Sequence, residues 1–144
     1  MILLDVNVLV DAFRADQHRH PRVRSWLEQA VDGDAPFGVP ELAASGFLRV
    51  VTHPRVFNEP DDVEDALEFV ERLLAAPNAI STRPGPRHWA IFTELCRVTR
   101  ATGNDVPDAY LAALTIEHGG ELATADRGFA RYPSLRWADP VAAD

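Results

Sequence analysis

The sequence predicts an α/β fold in which helices cover both faces of a parallel sheet. Short apolar segments alternate with segments whose apolar residues recur at helical spacing. This alternation is typical of strand–helix–strand units, which build parallel sheets. The chain has 144 residues, 47% of them hydrophobic, which is enough for one domain with a full core. We therefore expect a single domain over residues 1–144, without repeats or linkers.

The first half of the chain contains two predicted strands and three helical segments. ILLD (2–5) is a strand, and helical signals follow from Asn7. HPRVRSWLEQAV places apolar residues on one helical face and stops at Asp32 and Gly33. PFGV is a short strand, and Pro40 opens the third helical segment. HPRVFNEP then predicts a loop.

The second half adds three helices and three strands. DVEDALEFVERLLAA is an amphipathic helix that Pro77 ends, and AIST (79–82) is a strand. The helix within PGPRHWAIFTELCRVTRATG ends at Gly103, and the next one, PDAYLAALTIEHGG, has Pro107 at its first position. The last strands are ELAT and LRW.

Composition bears on location and partners. No apolar run is long enough to span a bilayer, and the N-terminus lacks the basic region of a signal peptide. The single Cys96 forms no internal disulfide, which fits a reducing compartment, so we expect a cytoplasmic protein without membrane association. A net charge of −8 argues against nucleic-acid binding, although all 14 basic residues are Arg, whose guanidinium suits phosphate.

Four carboxylates are predicted to meet at one edge of the sheet. Asp5 ends the first strand and Asp126 follows ELAT, and ligands bind beyond the carboxyl ends of strands in such sheets. Glu41 and Asp108 each follow a proline at a helix start, and those helices begin at the same edge. Each acid alone could cap a helix or complement its dipole. Together they would repel one another, and a divalent cation, Mg²⁺ or alternatively Mn²⁺, would remove that repulsion.

Four segments of the chain carry an ordered set of motifs. The segments are LLDVNVLVDA, VPELAASGFLRVVTHPRVF, GNDVPDAYLAAL and ELATADRGFARY. Their ordered set D-x-N, Glu, P-D-A-x-L-A-A and T-x-D-x-x-F is more specific than any one motif. Together they resemble the PIN-domain family, and more narrowly its VapC ribonuclease toxins, and the resemblance covers nearly the whole chain.

The resemblance implies a three-layer α/β/α fold and a Mg²⁺ site made by Asp5, Glu41, Asp108 and Asp126. Asn7 and Thr124 match polar supporting positions of the family. Asp105 lies three residues before Asp108 and could join the site as a further supporting residue through a water, but Asp108 fits the P-D-A pattern better. Gly128 replaces a residue that is more often acidic or polar, and this leaves the ligand set unchanged.

The resemblance also implies endonucleolytic cleavage of RNA. A water activated by the metal would attack phosphorus, leaving 5′-phosphate and 3′-hydroxyl ends, with Asp108 or Glu41 accepting its proton. The implied partners are an RNA substrate, a VapB-type antitoxin, and a second copy of the chain in a homodimer and a higher toxin–antitoxin assembly.

Two alternatives remain open at this point. One is a catalytically silent PIN-like domain that binds RNA or protein. The other is a phosphotransfer domain, whose phosphatase form needs an Asp where Asn7 stands and whose receiver form needs a late Lys that the chain lacks.

Two hypotheses concern the surfaces that would contact the partners. The hydrophobic residues Trp26, Leu27 and Phe47 are predicted to receive apolar side chains of the antitoxin. A set of arginines could contact the RNA backbone or form a solvated face. This set consists of Arg14, Arg19, Arg22, Arg24, Arg49 and Arg55.

Overall fold

A four-stranded parallel sheet forms the centre of the fold, and the computed structural model describes residues 1–142. The last two residues of the predicted domain over 1–144 lie outside the described residues. The strand order is β2-β1-β3-β4, so that β1 pairs with both β2 and β3. The strands are β1 (Ile2–Leu4), β2 (Phe37–Gly38), β3 (Glu121–Ala123) and β4 (Trp137–Ala138).

Helices cover the two faces of this sheet, and the predicted three-layer α/β/α architecture is confirmed. Successive side chains of a strand point to opposite faces. Leu4 therefore packs in one apolar cluster with Phe47, whereas Leu3 packs in a second cluster with Leu122 and Phe129. The helices are α1 (Val6–Phe13), α2 (His20–Asp32), α3 (Glu41–Val51), α4 (Val63–Leu74), α5 (His88–Thr99) and α6 (Asp105–Glu117).

The topology creates a crevice beyond the carboxyl ends of β1 and β3. The chain leaves β1 toward β2 on one side, and β3 later pairs with β1 on the other side. This reversal is a topological switch point, where ligands bind in open α/β sheets. The segments that follow β1 and β3 therefore line the same crevice.

The predicted strand at AIST (79–82) is wrong, since only Ala79 forms a bridge, with Phe37. Ile80 still donates its N–H to the Phe37 carbonyl at 2.8 Å. Beyond Ile80 the two segments share no further backbone hydrogen bond within residues 1–142, so the pairing remains an isolated bridge.

Three predicted helix ends also move. Pro40 lies at the N-cap of α3, so Glu41 is the first helical residue. Pro107 is the third residue of α6, where its missing N–H costs no helical bond because the first four N–H groups have no partner within the helix. The helix α5 ends at Thr99 rather than at Gly103, since Arg100 adopts the left-handed conformation with φ of 51°.

Among residues 1–142, the helices are too short and too polar for any of them to cross a bilayer.

Candidate active site

Asp5 connects β1 to α1 and is a buried carboxylate with a full set of donors. As the N-cap of α1 it accepts the Val6 N–H on Oδ1 at 2.7 Å. Its Oδ2 accepts the Asn7 amide and the Thr124 hydroxyl, each at 2.7 Å. Only 7% of the residue is exposed. Burial raises the pKa of Asp5, the Thr124 and Val6 hydrogen bonds lower it, and the nearby Asp126 raises it further, with a raised pKa as the result.

Asn7 and Thr124 join the end of β1 to the end of β3. Thr124, which is fully buried, accepts the Asn7 amide at 3.0 Å and the Asp126 N–H at 3.0 Å on its hydroxyl oxygen. Asn7 in turn accepts the Ala125 N–H on Oδ1 at 2.9 Å. These bonds fix the Asp5 carboxylate before any ligand binds, which is the role that supporting residues have in a preorganised site.

Asp126 lies just beyond β3 and begins a 3₁₀ turn over Arg127–Arg131. Its Oδ1 accepts the Gly128 N–H at 2.7 Å, so this acid is also a cap. The residue is exposed, unlike Asp5. The capping role and the site role are therefore compatible, because a cap uses one carboxylate oxygen and leaves the other free.

Asp108 lies in the first turn of α6 and faces the same crevice. Its Oδ2 accepts a hydrogen bond from Arg131 Nη2 at 3.0 Å. Burial raises the pKa of Asp108 and so does the charge of Asp5, while Arg131 lowers it; the net direction is upward. A cavity of about 800 Å³ is lined by Asp5, Asn7, Asp108 and Asp126 together with Arg49.

The structure does not bring Glu41 into this cavity. Its side chain is 81% exposed and lies 3.3 Å from Arg83 Nη2, at a neighbouring cavity of about 510 Å³. As the side chains lie, no group of three or more His, Cys, Asp or Glu residues within 1–142 is arranged to hold a metal ion. An exposed glutamate turns to a nearby cation when nothing in the crevice attracts it. The next residue, Leu42, lines both cavities, so Glu41 begins α3 at the border between them.

Asp105 also lies outside the set that lines the large cavity. Its Oδ1 is 3.3 Å from Arg131 Nη2, the same nitrogen that contacts Asp108. Sequence reasoning missed Arg131. The available signal was a cation five residues after Asp126 and two residues after the end of the T-x-D-x-x-F motif.

The donor set nevertheless fits a divalent cation. Asp5, Asp108 and Asp126 offer hard carboxylate oxygens, which are the ligands of Mg²⁺ and Mn²⁺. Their charges oppose one another, since the pKa of Asp5 is raised by Asp126, after the larger effect of burial, and the pKa of Asp108 by both other acids. A bound divalent cation would remove this repulsion.

The hypothesis that Arg14 contacts the RNA backbone or belongs to a solvated face is wrong, because Arg14 is a structural residue. Its side chain is 8% exposed and pairs with Asp16 at 2.6 Å and with Asp61 at 2.7 Å. Its guanidinium also lies 3.6 Å from the centre of the Phe57 ring. Arg49, by contrast, is exposed and lines the cavity of Asp5.

Two other arginines of the same set are engaged in ion pairs. Arg19 pairs with Asp11 at 3.6 Å and also with Asp139. Arg24 pairs with Glu28 at 2.6 Å along α2. Their positive charges are therefore already balanced within the fold.

The hydrophobic-surface hypothesis is wrong for Leu27 and Phe47, which are both buried in the core. Trp26 is partly buried and packs against the same core cluster. The helical period marked an apolar face correctly, and other helices of the chain cover that face.

Replacing Asp108 with Asn should stabilise the metal-free protein at neutral pH. The pKa of Asp108 is raised in the folded protein, so protonation of this carboxyl favours the folded state. This contribution to stability is complete below the pKa of the unfolded chain, and it is lost as the pH rises through the pKa of the folded protein. We expect Asp108→Asn to melt a few degrees above the parent in chelator at neutral pH, and the difference to shrink toward pH of about 4. Added Mg²⁺ should stabilise the parent more than the variant, because binding to the native state adds stability by mass action.

Thermal melts of both proteins, in chelator and in excess Mg²⁺, measure this. If Asp108→Asn melts below the parent in chelator and Mg²⁺ shifts both proteins equally, Asp108 is a helix-start acid outside the metal site.

A parallel α/β/α sheet with acidic side chains gathered at its switch point defines a PIN-type domain. The PIN domain family matches residues 2–135, and the chain belongs to that family. It is 48% identical over 141 residues to a VapC ribonuclease of Mycobacterium bovis, covering 98% of this chain and 96% of the relative. It is 42% identical over 140 residues to ribonuclease VapC25 of Mycobacterium tuberculosis, covering 97% and 99% of the two chains. These are VapC-type PIN domains.

A solved structure has the same fold. A chain of VapBC2 from Rickettsia felis superposes with a TM-score of 0.67, at 19% identity, covering 96% of this chain and 98% of that one. PIN-domain ribonucleases in general depend on divalent metal ions.

Proposed function

We propose that this chain is the endoribonuclease toxin of a VapBC-type pair and hydrolyses RNA phosphodiesters with the help of Mg²⁺, with Mn²⁺ as the alternative. The observation that supports the proposal is the cavity at the switch point, whose lining includes Asp5, Asp108 and Asp126. The resemblance to VapC ribonucleases along almost the whole chain supports the substrate class.

Asp5, Asp108 and Asp126 would hold the metal. Glu41 would complete the set by leaving Arg83, which an exposed ion pair permits because such pairs are weak, about 0–1 kcal/mol. When bound, the metal lowers the pKa of a water and neutralises charge that develops on the phosphate.

The residues of the chain then have separate tasks. Asp5 is held by Val6, Asn7 and Thr124, so it provides a fixed ligand and is poorly placed to accept a proton. Asp108 lines the cavity and has a raised pKa, whereas Glu41 lies outside the cavity beside Arg83, which favours Asp108 over Glu41 as the acceptor of the proton from the attacking water. Arg49 lies beside the cavity, where an RNA phosphate would approach. Hydrolysis in this sense leaves 5′-phosphate and 3′-hydroxyl ends.

The direct test is cleavage of RNA by the purified chain in chelator, in Mg²⁺ and in Mn²⁺, with mapping of the RNA ends. We expect cleavage only with a divalent ion, with 5′-phosphate at the new ends. Equal cleavage in chelator would refute the metal site, and 2′,3′-cyclic phosphate ends would refute attack by water.

The displaced Glu41 gives a specific reason to keep one alternative, a catalytically silent PIN domain that binds RNA or protein. This alternative requires that the acids never assemble around a metal. Absence of cleavage together with RNA binding that ignores Mg²⁺ would favour it.

We also propose that a VapB-type antitoxin restrains the activity and that the toxin forms a homodimer within the assembly. An acidic cavity attracts cations, so an antitoxin segment with Arg or Lys would suit it. Co-expression with the adjacent gene should relieve growth inhibition and yield a complex whose mass, by light scattering, contains two toxin chains. Two proteins that do not co-purify would count against this pairing.

A further inference from the structure

One guanidinium connects the acids of the cavity with residues outside it. Arg131 Nη2 lies 3.0 Å from Asp108 Oδ2, 3.3 Å from Asp105 Oδ1 and 2.9 Å from the Tyr132 hydroxyl. The Arg131 side chain is 35% exposed, so it lies at the edge of the fold rather than in the core. Within residues 1–142, it is the only Arg or Lys side chain that forms an ion pair with Asp108.

The surroundings of Arg131 hold the guanidinium at this place. Its Cζ lies 4.8 Å from the centre of the Tyr132 ring, and the Tyr132 hydroxyl donates to the Asp105 carbonyl at 3.2 Å. A Cβ at Gly128 would lie 3.0 Å from Arg131 Nη1 and 2.9 Å from Asp126 Oδ1. A residue with a side chain at this position would therefore crowd both groups, and Gly128 leaves the space between them open.

This arrangement gives Arg131 two sets of partners. Asp105 and Tyr132 do not line the cavity, whereas Asp108 does. A divalent ion bound by Asp108 would compete with the guanidinium for the same carboxylate. The metal would leave the contacts of Arg131 with Asp105 and Tyr132 in place. These two contacts would keep the N–H groups that Asp108 no longer accepts close to the metal-bound Asp108.

We infer that Arg131 is a substrate-binding residue that serves as the counter-cation of Asp108 in the metal-free protein and that binds the RNA phosphate once a metal takes that carboxylate. The inference rests on the proposed function. Asp105 thereby acts as the second partner of Arg131 rather than as a metal ligand. A planar guanidinium is suited to this exchange, because it binds carboxylate and phosphate oxygens with the same paired donors.

The exchange predicts two opposite effects of one substitution. Arg131→Gln removes the competitor of the metal, so the Kd for Mn²⁺ alone, measured by calorimetry, should fall about fivefold, the equivalent of a partly exposed ion pair. The same variant loses a phosphate contact, so the KM for an RNA oligonucleotide at saturating metal should rise about fivefold or more. A general loss of structure would weaken both interactions.

Arg127→Gln is the matched control, because it removes the same charge from the same 3₁₀ turn and Arg127 is exposed, without an ion pair in the part of the chain that the structure describes. Its metal Kd and its KM should stay within about twofold of the parent, since surface substitutions have small effects. Arg131→Lys keeps a cation and should return the metal Kd toward the parent value.

The possible outcomes distinguish a failure of the role of Arg131 from a failure of the proposed function. If Arg131→Gln matches Arg127→Gln in metal Kd, or raises KM no more than that control does, the role of Arg131 is refuted while the metal site stands. If the parent binds no Mn²⁺ and cleaves no RNA, the proposed function fails and the inference falls with it.

Discussion

Asp126→Asn is expected to lower RNA cleavage by at least about a thousandfold while the chain keeps its fold. The carboxylate charge at the end of β3 is lost, and with it a hard metal ligand. The capping bond survives, because an asparagine Oδ1 accepts the Gly128 N–H as the aspartate does now at 2.7 Å. The measurement is single-turnover cleavage of an RNA oligonucleotide in Mg²⁺, with a thermal melt to verify folding.

Asp5→Asn provides the comparison within the same site. It should lose as much activity, and it should also melt below Asp126→Asn. The reason is that the Asp5 carboxylate accepts from Val6, Asn7 and Thr124, and an amide nitrogen placed there would face a donor. Loss of the buried charge offsets part of this cost, since burial raises the pKa of Asp5. If a folded Asp126→Asn or Asp5→Asn protein cleaves within about tenfold of the parent, the assignment of these carboxylates is wrong.

Phe47→Ala is expected to reduce the free energy of unfolding by about 3–5 kcal/mol. Phe47 is fully buried, and its ring centre lies 5.3 Å from that of Phe13 in an edge-on arrangement and 5.5 Å from that of Phe69. Truncation removes the buried ring and leaves a cavity among α1, α3 and α4. Urea denaturation of the parent and of the variant gives the difference.

Trp89→Ala is the control for this substitution. Trp89 is also a large aromatic residue, but 69% of it is exposed on α5, so its loss should change stability by less than about 0.5 kcal/mol. A Phe47→Ala protein as stable as the Trp89→Ala protein would mean that Phe47 lies on a surface, as the sequence alone suggested. With the expected result, a loss of antitoxin binding by Phe47→Ala would report unfolding and not a contact.

Local patterns were sufficient to predict the architecture. The alternation of strands and helices predicted the parallel sheet, and position along each strand placed Asp5 and Asp126 at its carboxyl edge. Both signals are carried by neighbouring residues, since strand and helix periods are local properties of the backbone. The false strand at 79–82 arose because a short segment of this kind does not reveal how far it will pair with a neighbouring strand, and only Ala79 forms a bridge.

The tertiary structure decided which side chains meet. Helical periodicity showed that Leu27 and Phe47 share apolar faces with their neighbours, but burial depended on which helices pack against those faces. The sequence shows which residues are arginines and which are acids. It does not show which of them pair, because pairing depends on distances between segments that are remote in the chain.

Those distances give Arg14 and Arg49 different roles. They also explain why Glu41 lies apart from the other acids. The buried Arg14 pairs with the partly exposed Asp61, while Arg49 lines the cavity. Glu41 turns to Arg83, and Arg131 joins Asp105 to Asp108. Electrostatic pairing follows separation in space, and the chain brings these segments together only when the sheet and its helices have packed.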